Sequence, residues 1–109
     1  MKVLLDENID VRFKRAFDGL PHQVFTVRDM GWNGLKNGAL LQKMKEDSFD
    51  ILVAVDKNLP YQQNKDNLPV SIFILNVQRN VLPALLHLAP ILLKSWESVL
   101  SKTVYIIEP

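Results

Sequence analysis

Apolar and polar positions alternate in blocks along the chain. A short aliphatic run, Lys2–Leu5, stops on Asp6, Glu7 and Asn8, and apolar side chains return at Ile9, Val11, Phe13, Ala16 and Phe17. The first run predicts a buried strand. The second set mostly shares one helical face, with Asn8 placed to cap it and Gly19 and Pro21 to end it. Residues 23–27 predict a second strand, followed by the loop "RDMGWNGLKNG", whose glycines and asparagines are turn formers. Asn37 is positioned to cap a second helix that faces Leu40, Leu41 and Met44 toward the core. Residues 51–55 form a continuous apolar run, the pattern of a strand covered on both faces, and it ends on Asp56. The polar stretch "KNLPYQQNKDNLP" leads to a further strand at residues 70–75. Residues 80–100 read as helix divided near Pro90, and residues 103–107 as a last strand.

Strands alternating with helices predict an α/β fold, a three-layer α/β/α sandwich around a mostly parallel sheet, with residues 1–109 forming one domain. In such sheets polar chemistry gathers beyond the carboxyl ends of the strands, where the strand order reverses. Asp6, Asp29 and Asp56 each follow a predicted strand directly or within two residues, so the three can converge on one crevice.

Composition narrows the chemistry. Of the 109 residues, 48% are hydrophobic and 23% charged, which suits a packed core and excludes a disordered chain. Without cysteine there is neither a disulfide nor a thiolate zinc site, in keeping with a reducing compartment. Asp6, Glu7 and Asp10 interrupt the apolar start, which therefore does not read as a secretory signal. The apolar stretch 81–93 carries Pro83, His87 and Pro90 and falls short of the roughly 20 residues that span a bilayer. The expected setting is the cytoplasm, with no membrane partner. A net charge of +1 gives no global attraction to polyanions, but Arg12, Lys14, Arg15, Arg28, Lys36, Lys43, Lys45 and Lys57 all lie in the first 57 residues and can supply a local basic rim.

Converging carboxylates repel one another, and a divalent cation removes that cost. Mg²⁺ and Mn²⁺ prefer oxygen ligands, and Mg²⁺ keeps several waters while taking one or two carboxylates. An ion so held polarises a phosphoryl oxygen and acidifies water, the requirements of phosphodiester hydrolysis. No cysteine, serine or histidine nucleophile is needed.

The segments "LLDEN", "HQVFTVRDMGWNG", "LKNGALL" and "ILVAVDKNLP", in this order, resemble the PIN-like domains of prokaryotic toxin type, in the small branch that begins with a strand ending in Asp-Glu-Asn. The resemblance covers about the first 75 residues well and the remainder in outline. It implies a metal-dependent endoribonuclease, often the toxin of a toxin–antitoxin pair, with RNA as substrate and an antitoxin protein as partner; self-association stays open.

Carried over by position, Asp6 and Asp56 are the primary acids and Asp29 the acid after the second strand, all three expected at the catalytic metal site. Glu7 and Asn8 complete the opening motif. Asn37 and Asn58 stand where relatives tend to carry further acids, so Asn37 is an expected ligand through its amide oxygen and Asn58 a supporting residue. Arg12, Arg15, Lys57, Tyr61 and Gln62 are the expected contacts to RNA.

Plainer roles compete with these. Asp6, Glu7 and Asn8 also suit a helix cap, Asp29 a turn, and His87, among leucines, a structural position. With Asn37 and Asn58 uncharged, the alternative function is a catalytically decayed PIN-like module that binds RNA or a protein partner. A phospho-acceptor receiver domain also has acids at strand ends, but it requires a lysine after the fifth strand, where "TVYIIEP" carries none.

Overall fold

Side chains along each central strand point alternately to two separate cores, and that alternation creates the layers. The computed structural model describes residues 1–59, 67–98 and 101–109. Within them, β1 (Lys2–Leu5), β2 (Gln23–Thr26), β3 (Ile51–Ala54), β4 (Ser71–Leu75) and β5 (Val104–Ile107) form an all-parallel sheet in the order β2-β1-β3-β4-β5. Leu5, Val53, Phe73 and Leu75 face one core, closed by Phe13 and Phe17 of a 3-10 helix (Val11–Phe17) and by α3 (Leu82–Trp96). Leu4, Leu52, Ile72 and Ile74 face the other, closed by α1 (Val27–Met30) and α2 (Asn37–Glu46). This is the α/β sandwich expected, with burial on both faces explaining the unbroken apolar runs of β3 and β4.

The 3-10 helix carries the chain from β1 outward to β2 over the first face. The connection from β2 to β3 runs back across the second face, where Leu40 and Leu41 pack. These two share one hand. From β4 to β5 the chain continues in the same direction across the sheet, but α3 lies on the first face, so this crossover has the opposite hand. The order reverses between β1 and β3, which places the topological switch point at the ends carrying Asp6 and Asp56.

Four local expectations are corrected. The first helix starts later than Asn8: Asp10 is its cap, accepting from the Arg12 N–H at 3.0 Å, and the helix winds as 3-10 rather than α. β2 stops at Thr26, because Thr26 and Asp29 form a reciprocal capping box that starts α1 where a loop was expected. In α2 the cap position falls on Lys36, whose carbonyl accepts from the Leu40 N–H at 2.8 Å, and Asn37 is the first helical residue. Pro90 does not divide α3. It sits on the exposed side, and the carbonyl its ring leaves without an amide partner is that of Leu86, itself an exposed residue. The buried stripe Leu85, Leu88, Leu92 and Trp96 therefore continues unbroken past it. Among the described residues no helix is long and apolar enough to cross a membrane.

Candidate functional site

The Asp6 N–H extends the ladder by one step beyond β1, donating to the Val53 carbonyl at 2.9 Å. With Leu5 paired to Val53, Asp6 lies beside Ala54, and Asp56 is one strand over and two residues further on. The chain then turns sharply, the Ile9 N–H donating to the Asp6 carbonyl at 3.0 Å. The Asp6 side chain at this turn is half-buried. Since Asp10 caps the helix that follows, the side chains of Asp6, Glu7 and Asn8 are surplus to capping.

Burial is the first cause of a raised pKa at Asp6, and the charges of Glu7 and Asp56 raise it further. The backbone N–H groups of Glu7 and Asn8 bond to the same carboxylate and oppose the rise. Asp6, Glu7 and Asp56 thus share one electrostatic neighbourhood at the switch point. Asp56 is held by its own turn, its Oδ1 accepting from the Asn58 N–H at 2.9 Å while its carbonyl accepts from the Leu59 N–H. Glu7 reaches across to the loop after α1, where its Oε1 accepts from Asn33 Nδ2 at 3.3 Å and from the Gly34 N–H at 3.2 Å. Gly34 has φ +82°, a conformation that turns its N–H toward Glu7 and that a side chain would strain. The Asn8 carbonyl is fixed by Asn80 Nδ2 at 2.7 Å, tying the opening motif to the segment before α3.

Asp29 is differently employed. Its Oδ2 accepts from the Thr26 N–H at 2.8 Å and pairs with Lys14 Nζ at 2.9 Å, and these two partners hold its carboxyl below the ordinary range. The charges that act on Asp6 are those of Glu7 and Asp56. Among the described residues no three of the His, Cys, Asp and Glu side chains form a group that could hold a metal ion. Asn37 is half-buried at the start of α2. Asn58 contributes its backbone to the Asp56 turn while its side chain is exposed.

Of the expected RNA contacts, Arg12 forms a close pair with Asp10, Nη2 to Oδ2 at 2.6 Å, which pulls the Asp10 carboxyl down to about 2. Arg15 and Lys57 are exposed. Tyr61 and Gln62 lie outside the described residues.

Sequence reasoning missed the contributions of β4, β5 and α3 to this edge. Asn76 follows β4 and donates from Nδ2 to Glu108 Oε1, just beyond β5, at 2.8 Å. An open groove of about 810 Å³ lies next to them, lined by Lys57, Val77, Arg79, Val81, His87 and Leu88 among others. His87 is exposed in that lining, not structural among the leucines. The rule that singled out Asp6 and Asp56, polar residues just past a strand's carboxyl end, would have found Asn76 if applied to the fourth strand. No protein-family model, curated protein or solved structure matches the chain.

The arrangement offers two carboxylates on adjacent strand ends, one of them strained by burial and like charge, with backbone donors fixing their orientation. All the donors are hard oxygens. A donor set of this kind suits Mg²⁺ or Mn²⁺, which need only one or two protein carboxylates when waters complete the shell.

Proposed function

We propose that this chain is a PIN-like, metal-dependent endoribonuclease of toxin type, with Asp6 and Asp56 as the ligands of Mg²⁺ or Mn²⁺. The observation that carries the reading is the placement of Asp6 and Asp56 side by side at the switch point, where the Asp6 carboxyl is pushed up by burial and by its acidic neighbours. The opening Asp-Glu-Asn motif and the order of the later segments support it by resemblance. A bound divalent cation supplies charge for polarising a phosphoryl oxygen and for acidifying water.

The chain's own groups do the positioning. The Glu7 and Asn8 N–H groups orient the Asp6 carboxylate, and the Asn58 N–H orients that of Asp56. Glu7, anchored on Asn33 and Gly34, keeps negative charge beside the pair without being drawn into it. Asp29 and Asn37 take secondary places, with Asp29 chiefly supporting α1. An antitoxin protein is the partner this reading implies.

The test is cleavage of single-stranded RNA by the full chain in Mn²⁺ or Mg²⁺, with Asp6→Asn and Asp56→Asn as controls. Metal-dependent cleavage should fall in each variant by more than the roughly 10–100-fold that loss of a ligand's supporting partner costs. A wild-type chain inert toward single-stranded RNA in either metal overturns the reading. The second reading, a decayed PIN-like module that binds RNA or a protein partner, is favoured by one observation: among the described residues no third His, Cys, Asp or Glu side chain joins the pair in a group that could hold a metal ion. Binding of RNA or a protein partner without cleavage would select it.

A further inference from the structure

The groove beyond β3, β4 and β5 begins where the Asp6–Asp56 crevice ends, because Lys57 in its lining directly follows Asp56. Lys57 and Arg79 bring positive charge to it, while Val77, Val81 and Pro83 give it an apolar floor and His87 a hydrogen-bonding edge. Among the described residues the salt bridges engage Lys2, Arg12 and Lys14, and neither groove cation belongs to one. The basic groups on the 3-10 helix present the opposite case, since Arg12 is held on Asp10 and Lys14 on Asp29. Cations ready to meet an anion thus stand at the groove. Its volume of about 810 Å³ has room for a nucleotide and falls within the roughly 300–1,000 Å³ of ligand sites.

Charge along the rim and an apolar floor are the two features by which single strands are held: cations track phosphates while exposed bases rest on carbon surface. We propose that this groove binds the stretch of single-stranded RNA adjoining the cleavage site, with Lys57 and Arg79 on phosphates and a base seated over Val77, Val81 and Pro83. The inference rests on the nuclease reading and assigns the substrate path of that same site to β4 and α3 rather than to the 3-10 helix.

The experiment is fluorescence anisotropy of a labelled single-stranded RNA oligonucleotide titrated with the full chain in chelator at low salt, paired with cleavage kinetics in Mn²⁺. Lys57 and Arg79 are exposed, so Lys57→Ala/Arg79→Ala is expected to keep the wild-type melting curve. The double variant should bind at least about 10-fold more weakly. Two lost phosphate contacts should flatten the slope of log K against log salt by about 1.4, at about 0.7 per contact on single strands. KM should rise while kcat stays within about twofold, and Arg79→Lys should restore much of the binding. Arg12→Ala/Arg15→Ala should matter less than the groove pair.

Wild-type cleavage with unchanged KM and salt slope in the groove variant overturns the groove and leaves the nuclease reading standing. A wild-type chain that neither binds nor cleaves the RNA overturns both. Equal binding of duplex RNA, or displacement of the RNA from the groove by an acidic peptide, overturns the single strand as its occupant.

Discussion

At Asp6 the fold keeps a carboxyl group where ionisation is unfavourable. Its folded pKa is raised above the unfolded value of 3.8, first by burial and then by Glu7 and Asp56. The folded state therefore binds the proton more tightly. The stability this confers is complete below the unfolded pKa and is lost as pH rises through the folded one, so at neutral pH ionised Asp6 weighs against folding. Asp6→Asn in chelator should raise Tm by a few degrees at pH 7, and the advantage should vanish as the pH is lowered below about 4; thermal melts of both proteins across pH check this. A substitution that lowers Tm more at pH 7 than below pH 4 would mean that the carboxylate's bonds from Glu7 and Asn8 outweigh its desolvation. On the proposed metal-dependent reading the same proton competes with the metal ion, so Mn²⁺ affinity should fall as the pH drops toward the Asp6 pKa.

At the level of elements, α1 depends on a side-chain pair more than on its own four residues. Thr26→Ala or Asp29→Ala breaks the capping box, and each should cost about 1 kcal/mol. The double variant should cost clearly less than their sum, because both remove one reciprocal device; urea unfolding of the three variants measures the coupling. Asp29→Ala should leave Mn²⁺ affinity within about threefold, and a loss like that at Asp56 would return Asp29 to the metal site. In α3, Pro90→Ala restores an amide on the exposed side and should stabilise the chain by about 1–3 kcal/mol. No gain in urea midpoint would show that the Leu86 carbonyl is equally well satisfied by solvent. The strands were legible in sequence to within a residue at their ends, since burial on both faces leaves continuous aliphatic runs that few other arrangements produce. Helix starts were not: Asn8 and Asn37 are good cap residues by type, but the ladder bond from Asp6 and the turn at Ile9 push the first cap to Asp10, and the second falls on Lys36, which has no capping side chain. Pro90 misled because the cost of an interior proline depends on which side of the helix it occupies, and that is set by packing.

Across the whole molecule, the strand order turns separate sequence signals into one site. Asp6 and Asp56 are far apart in the chain and neighbours only because β3 pairs with β1 on the side opposite β2. The sequence supplied the residues and the rule about carboxyl ends, and with them the acid pair. It did not reveal that Asp29, after the outer strand β2, would be occupied by Thr26 and Lys14. Nor did it reveal that α3 would fold over the first face and set Arg79 and His87 in the groove beside Asp56. The most direct measurement is calorimetric titration of Mn²⁺ into the wild-type chain, Asp6→Asn, Asp56→Asn and Asp29→Ala at pH 7. The wild type and Asp29→Ala should bind one equivalent with similar affinity, while the two carboxamide variants lose at least about 100-fold. A wild-type chain with no binding heat and no Tm rise up to millimolar Mn²⁺, or an Asp56→Asn variant that binds as the wild type does, would contradict a metal site built on Asp6 and Asp56.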